Sequence, residues 1–333
     1  LTTTILTNEE VKKQSARRTR RSFLIGGLGV LGGVEFYRWV MDSKQMEMLP
    51  AAERHMFELN AKVSEGVFHE RGLTPTYPLS KAVDLRVNGN YGLKQDLLPE
   101  SYRLQVVGVD KAKSYKQYVN DVTAWEYRYK DEEAKYEGHD TKVDPEKEAR
   151  AKMPPEFQKA FAEMDANNTG RAPRGQEEAG ESDSTLDPGT PGLLLTLDEV
   201  TNFPKYDLVS EFKCIEGWSE IVHWTGVRLA DFIAAYPPAR NADGKLPRYV
   251  YMETPNGDYY TGYHLGECMH PQSLLATHMS GKPLPQVHGY PIRLHMPIKY
   301  GYKQIKRIGL IAYTDDEPDD YWTKLGYDWY AGL

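Results

Sequence analysis

In Glu211-Phe212-Lys213-Cys214-Ile215-Glu216-Gly217-Trp218-Ser219 a lone cysteine stands where a strand is expected to end and a helix to begin. Taken alone, such a cysteine is more often a buried core residue than a ligand or nucleophile. A papain-type nucleophile needs a partner histidine placed by the fold, and nothing local supplies one. The nine histidines contain no His-Glu-x-x-His and no paired ligand spacing, which disfavours a zinc site made of protein ligands alone. Only two cysteines are present, Cys214 and Cys268, which excludes a disulfide-dense scaffold and a four-cysteine zinc or iron–sulfur site. No Cys-x-x-Cys-His occurs, so the chain carries no c-type haem of its own. Cys268 reads as a small buried hydrophobe, and a Cys214–Cys268 disulfide would remove Cys214 from any ligand role. Spacing by itself leaves the function open.

Outward from this stretch, 333 residues allow one large domain or two ordinary ones. With 40% hydrophobic and 27% charged residues the chain is neither a polytopic membrane protein nor mostly disordered. The formal net charge of −7 disfavours bulk binding of nucleic acid, and no nucleic-acid partner is expected. Abundant tyrosine (23), proline (21) and glycine (28) predict many strands and turns.

The charge is unevenly spread. Residues 1–21 hold Lys12, Lys13, Arg17, Arg18, Arg20 and Arg21 against Glu9 and Glu10, a local net of +4 that leaves −11 on the remainder. Thr19-Arg20-Arg21-Ser22-Phe23-Leu24, followed by an uncharged run to Val34, resembles the twin-arginine export signal. Proteins sent by that route are exported folded, often with a cofactor already inserted. Gly27-Leu28-Gly29-Val30-Leu31-Gly32 fits G-x-G-x-x-G, but an arginine cluster precedes it where a dinucleotide site needs a strand. Residues 22–41 are long enough to cross ~30 Å of hydrocarbon at ~1.5 Å per residue, with Glu35 and Arg38 able to pair at i and i+3. A retained membrane anchor over 22–41 is expected, with the basic cluster cytoplasmic and the rest facing outward.

Residues 42–77 read as a polar, helical connector, and 78–333 as the globular domain. Within the latter, 31 of the 80 residues at 111–190 are charged and apolar periodicity is weak, so that stretch reads as an insertion. Short solvated helices are expected at 145–152 and 156–165. Strands are expected from Tyr102, from Leu193 through Val200, and at 248–253, 274–279, 291–296 and 307–313. At 227–236, Leu229, Phe232, Ile233 and Tyr236 share one helical face. The sum is a mixed α+β chain with mainly antiparallel sheets.

Six motifs follow one another along the chain: Cys214-Ile215-Glu216-Gly217-Trp218-Ser219, His223-Trp224-Thr225-Gly226-Val227-Arg228-Leu229, Tyr249-Val250-Tyr251-Met252-Glu253-Thr254, Glu267-Cys268-Met269-His270-Pro271, His288-Gly289-Tyr290-Pro291-Ile292-Arg293-Leu294, and Lys299-Tyr300-Gly301-Tyr302-Lys303. In this series the chain resembles the molybdopterin-dependent oxidoreductases of the sulfite oxidase fold. The nearest branch is the one containing the periplasmic methionine-sulfoxide reductase catalytic subunit. The resemblance covers most of 78–332 outside the insertion and implies a sulfite-oxidase-type molybdopterin-binding domain.

Carried over, the resemblance makes Cys214 the one protein thiolate on molybdenum, a soft ligand suited to the metal. Cofactor contacts would fall on Asn88, Tyr91, Gly92, Thr254, His288, Arg293, Gly301, Tyr302 and Lys303, with Arg293 and Lys303 able to hold a phosphate. His288 stands where the close branch often carries asparagine and matches the sulfite oxidases instead. Glu216 and Trp218 would face the reacting centre. The implied activity is two-electron oxygen-atom transfer on a small-molecule substrate at the extracytoplasmic face of the membrane. With no haem or flavin motif here, electrons must pass to or from a membrane cytochrome or quinol-linked subunit. Glu216, two residues after Cys214, favours a neutral S-oxide or N-oxide over a dianion unless it faces away and pairs with Lys213 or another base. The second reading is an accessory subunit of a membrane complex that keeps the fold and docks without turnover.

Overall fold

The computed structural model describes residues 45–46, 49–67, 72–133 and 179–333. The twin-arginine motif, the expected anchor at 22–41 and the expected helices at 145–152 and 156–165 lie outside the described residues. Among the described residues no helix is long and apolar enough to cross a membrane.

The chain divides into two units, 1–60 and 61–333. The first contains a short antiparallel ribbon, β1 (Gln45–Met46) with β2 (Leu49–Pro50), and the start of the helix Ala51–Val67.

The second unit is built on two larger sheets. The first sheet is made of β4 (Leu104–Val107), β5 (Tyr118–Val119), β7 (Gly192–Leu195), β10 (Tyr249–Glu253), β11 (Tyr260–His264) and β15 (Leu310–Thr314), in the order β11-β10-β15-β4-β7-β5. All its pairs are antiparallel except β15 with β4. Tyr249, Val250, Tyr251 and Met252 are buried in succession, as expected of a central strand covered on both faces. The second sheet contains β8 (Lys205–Lys213), β9 (Ser219–Arg228), β12 (Leu274–Met279), β13 (Lys282–Pro283) and β14 (Arg293–His295), all antiparallel. A small pair joins β3 (Gln95–Leu97) to β6 (Tyr129–Glu133). These mixed, mainly antiparallel sheets with short flanking helices agree with the fold class read from the chain.

Several element boundaries differ from expectation, four of them for a reason visible in the structure; the strands expected from Tyr102 and at 291–296 are confined to Leu104–Val107 and Arg293–His295. No helix follows Cys214; the chain turns back into β9, paired with β8 from Lys213↔Ser219 to Lys205↔Val227. The reason is periodicity: Val222 and Trp224 are buried while Ile221, His223 and Thr225 face outward, a period of two. The helix at 227–236 shortens to Leu229–Ala235 because Val227 and Arg228 are still paired in β12–β9. Its buried face is Leu229, Phe232 and Ile233, as expected. The strand from Leu193 stops at Leu195, where Thr196 and Glu199 form a capping box and start the helix Leu197–Thr201. The last strand begins at Leu310 rather than Arg307, whose φ of 53° interrupts extended backbone. The charged stretch also enters the first sheet, since Tyr118–Val119 pairs with β7.

Candidate active site

The β8–β9 hairpin closes through Cys214–Trp218. Cys214 N–H donates to Trp218 O (2.9 Å), Gly217 N–H donates to Cys214 O (3.1 Å), and Gly217 takes φ +91°. Glycine suits that left-handed position because a Cβ would strain it. The turn puts Cys214, Glu216 and Trp218 on one wall of a cleft of about 290 Å³. Glu216 Oε2 is their hub. It accepts from Trp218 Nε1 (2.9 Å) and Asn88 Nδ2 (3.2 Å), and lies 3.7 Å from Cys214 Sγ. Asn88 Nδ2 also approaches Sγ at 3.6 Å. Glu216 therefore faces the thiol; Lys213 pairs with Glu211 instead, so the alternative in which Glu216 turns away to Lys213 does not hold. Desolvation first, with the Glu216 charge adding to it, pushes the Cys214 thiol up to about 11. Neither cysteine is in a disulfide among the described residues.

A second wall is cationic. Arg293 is fully buried, and its hydrogen bonds are three long contacts to the carbonyls of Leu294, His288 and Gln304 at 3.5, 3.3 and 3.4 Å. No carboxylate pairs with it among the described residues; the Trp224 ring lies 4.8 Å from Cζ. Desolvation draws the guanidinium down to about 9. Lys306 lines the same cleft and donates to the carbonyls of Asn88 (2.8 Å) and Gly89 (2.9 Å). Desolvation and then Arg293 lower it to about 7, although its ammonium reaches the open cleft, where water offsets part of that effect. Two under-compensated cations side by side mark an anion site.

Of the residues expected at the site, Asn88, Tyr91, Cys214, Glu216, Trp218, Arg293, Gly301 and Tyr302 line this cleft. The remaining four do not. Gly92 takes φ +70°, and a Cβ there would overlap the Thr254 side chain, so these two residues pack closely on each other. His288 is buried beside Arg293, with Nδ1 lacking a hydrogen-bond partner among the described residues; desolvation and then Arg293 hold it neutral, near 3. Lys303 is the correction. Its Nζ is committed to Asp320 at 2.7 Å with both side chains buried, so it cannot serve as the phosphate lysine. Lys306, three residues on, stands in the cleft in its place.

Sequence reasoning also missed Arg86, Gln304, Tyr259, Trp322 and Tyr327, all of which line the cleft. Arg86 stacks on Trp218 (4.5 Å to the ring) and pairs with Glu220 at 2.8 Å, so its charge is already answered. Arg86 and Glu220 are 134 positions apart, beyond any local signal.

Residues 189–322, which include the hairpin turn, Arg293 and Lys306, match the family model of the oxidoreductase molybdopterin binding domain. The chain carries a molybdopterin-binding oxidoreductase domain. Over 141 residues it is 36% identical to the protein-methionine-sulfoxide reductase catalytic subunit of Xanthomonas axonopodis pv. citri, covering 39% of this chain and 44% of that protein. The same-named subunit of Campylobacter jejuni is 32% identical over 157 residues, 42% of this chain and 52% of that one. The matched portion is thus about half the length of these relatives. The sulfane dehydrogenase SoxCD of Paracoccus pantotrophus overlays 38% of this chain and 36% of its own, with a TM-score of 0.34 at 19% identity.

The cleft of this molybdopterin-binding domain fits the group it is named for. One end offers a single thiol, and no cluster of three or more His, Cys, Asp or Glu competes for metal among the described residues. The other end offers Arg293 and Lys306, whose unpaired charge a phosphate would compensate. Cys214 would hold the metal and the two cations the phosphate.

Proposed function

We propose that this chain is an exported, membrane-anchored molybdenum-dependent oxidoreductase that reduces a neutral S-oxide or N-oxide, drawing electrons from a membrane cytochrome or quinol-linked subunit. When bound, the cofactor supplies two-electron oxygen-atom transfer. The chain's part is to ligate through Cys214, to grip the anionic end through Arg293 and Lys306, and to set the charge around the substrate.

The observation that carries the substrate choice is Glu216 Oε2 at 3.7 Å from Cys214 Sγ, held there by Trp218 and Asn88. A substrate reaching a metal held by Cys214 would lie near that carboxylate. Two unit charges ~6 Å apart cost roughly 3 kcal/mol at an effective dielectric of about 20. That is roughly 100-fold in binding, before screening. A neutral oxide beside the Trp218 ring meets no such repulsion. Arg86, the cation nearest that ring, is paired with Glu220 and offers little to an oxyanion. The names of the two reductase relatives support the same direction.

With dye electron carriers, methionine sulfoxide, dimethyl sulfoxide and trimethylamine N-oxide should be reduced faster than sulfite is oxidised. Glu216→Gln should improve the KM for sulfite by about tenfold or more, as removal of that repulsion requires. Robust sulfite oxidation with no oxide reduction reverses the assignment. A molybdenum-loaded protein inert toward every substrate favours the docking-subunit reading.

A further inference from the structure

Arg293 and His295 lie two residues apart on β14 and so share one face of the strand, both fully buried. They pack on a common ring. His295 stacks on Trp224 with centroids 5.0 Å apart at 22°, and Arg293 Cζ lies 4.8 Å from the same indole. Both imidazole nitrogens of His295 are engaged, Nδ1 at 2.9 Å from Gln304 Oε1 and Nε2 at 2.8 Å from Ser210 Oγ. An amide oxygen only accepts, so the network assigns the proton to Nδ1, which donates to Gln304, while Nε2 accepts from the Ser210 hydroxyl. Desolvation, reinforced by Arg293, holds the ring neutral with a pKa near 3, against the opposing Gln304 hydrogen bond.

Gln304 has no freedom left. Its Oε1 also accepts from Met296 N–H (3.3 Å), and its Nε2 donates to Lys299 O (3.0 Å). Its backbone carbonyl accepts from Arg293 Nη2 at 3.4 Å, and it precedes Lys306 by two residues on the cleft wall. One imidazole therefore ties together the two parts of the chain that carry the cleft's cations, while itself lying outside the cleft lining.

We propose that His295 is a positioning residue for anion binding: by donating to Gln304 it fixes the Gln304-Ile305-Lys306 segment against Arg293, so that both cations meet the cofactor's phosphate without reorganisation. A segment ordered beforehand loses less freedom on binding, and the saving shows as slower release. The inference rests on the reading that Arg293 and Lys306 grip the anionic end of molybdopterin.

Two replacements of similar polarity separate this role from packing. His295→Asn keeps an amide N–H near the Nδ1 position and can still donate to Gln304. His295→Gln places its amide near Nε2, serves Ser210 and abandons Gln304. Molybdenum retained per chain is measured during prolonged dialysis of the loaded full-length protein, beside the melting temperature. His295→Gln should release molybdenum about tenfold faster than the parent, the equivalent of ~1.4 kcal/mol, with His295→Asn releasing close to the parent rate and melting alike. Equal release from the Asn and Gln variants, or parental retention in His295→Gln, overturns the proposal. Should either variant fail to fold, Ser210→Ala removes only the Nε2 bond and must release at the parental rate; release about tenfold faster would mean that the Gln304 bond is not what matters. Arg293→Met is run in parallel. If it retains molybdenum like the parent, the reading of the cradle fails, and that result is separate from any failure at His295.

Discussion

Cys214 is held by its backbone as well as by the long contacts of its thiol to Glu216 and Asn88, and the backbone part has a consequence for substitution. Its N–H and carbonyl close the hairpin turn with Trp218 and Gly217, bonds that serine leaves intact. Cys214→Ser should therefore melt within about 3 °C of the parent, since changes without a cavity or lost cap stay small. Serine, however, offers a hard oxygen where the metal wants a soft sulfur. The parent should hold about one molybdenum per chain and the variant should lose redox turnover. Full activity in Cys214→Ser, assayed with dye carriers, would remove the cysteine from the chemistry. The same residue scale marks how far the sequence could be read. Cys214, Glu216 and Trp218 lie within five positions of one another, inside one of the motifs that carry the family resemblance, and it is the resemblance that exposed them. Lys303 and Lys306 did not separate that way. What distinguishes them is Asp320, which claims Lys303 from seventeen residues further on and leaves Lys306 for the cleft.

Among the elements, that same ion pair carries mechanical weight. Lys303 ends the turn Gly301–Lys303, which lends Gly301 and Tyr302 to the cleft. Asp320 caps the helix Tyr321–Lys324, accepting from Trp322 N–H (3.1 Å) and Thr323 N–H (3.2 Å), and that helix lends Trp322 to the cleft. Thr261 Oγ1 donates to the same carboxylate at 2.6 Å. Lys303→Met would leave a buried carboxylate without its cation, at a cost of about 3–5 kcal/mol. In a domain of this size the melting temperature should fall on the order of 10 °C. Adding Asp320→Asn should recover part of the loss, because the amide needs no counter-charge. A drop of less than about 2 °C in Lys303→Met would mean the pair contributes nothing measurable. Element type was legible where the apolar pattern was clear, as in the apolar run that opens Leu274–Met279 and the helical Leu229, Phe232, Ile233 face. After Cys214 the expected helix is instead the strand β9, because the five-residue turn Cys214–Trp218 carries no period of its own.

At the scale of the whole molecule, the cleft is assembled from distant parts of the chain. Lys306 bonds the carbonyls of Asn88 and Gly89, more than 200 positions away, and Cys214 meets Asn88 across 126. The thiol, the two cations and the loop that Lys306 closes on together span residues 88 to 306. A cofactor gripped by these groups can be bound firmly only after the second unit has folded. Export threaded as an unfolded chain would present none of these contacts on the cytoplasmic side. The twin-arginine-like Thr19-Arg20-Arg21-Ser22-Phe23-Leu24 suits that constraint, because its route carries folded, cofactor-loaded proteins. Two outcomes are expected of cell fractionation. The parent chain should sediment with the membrane and need detergent for extraction, through residues 22–41. Arg20→Lys/Arg21→Lys should leave the protein on the cytoplasmic side, still holding molybdenum, because Cys214, Arg293 and Lys306 are unchanged in it. A freely soluble parent whose intact mass places its start near residue 50 would count against the anchor. Extracytoplasmic protein from the double-lysine variant would count against the route.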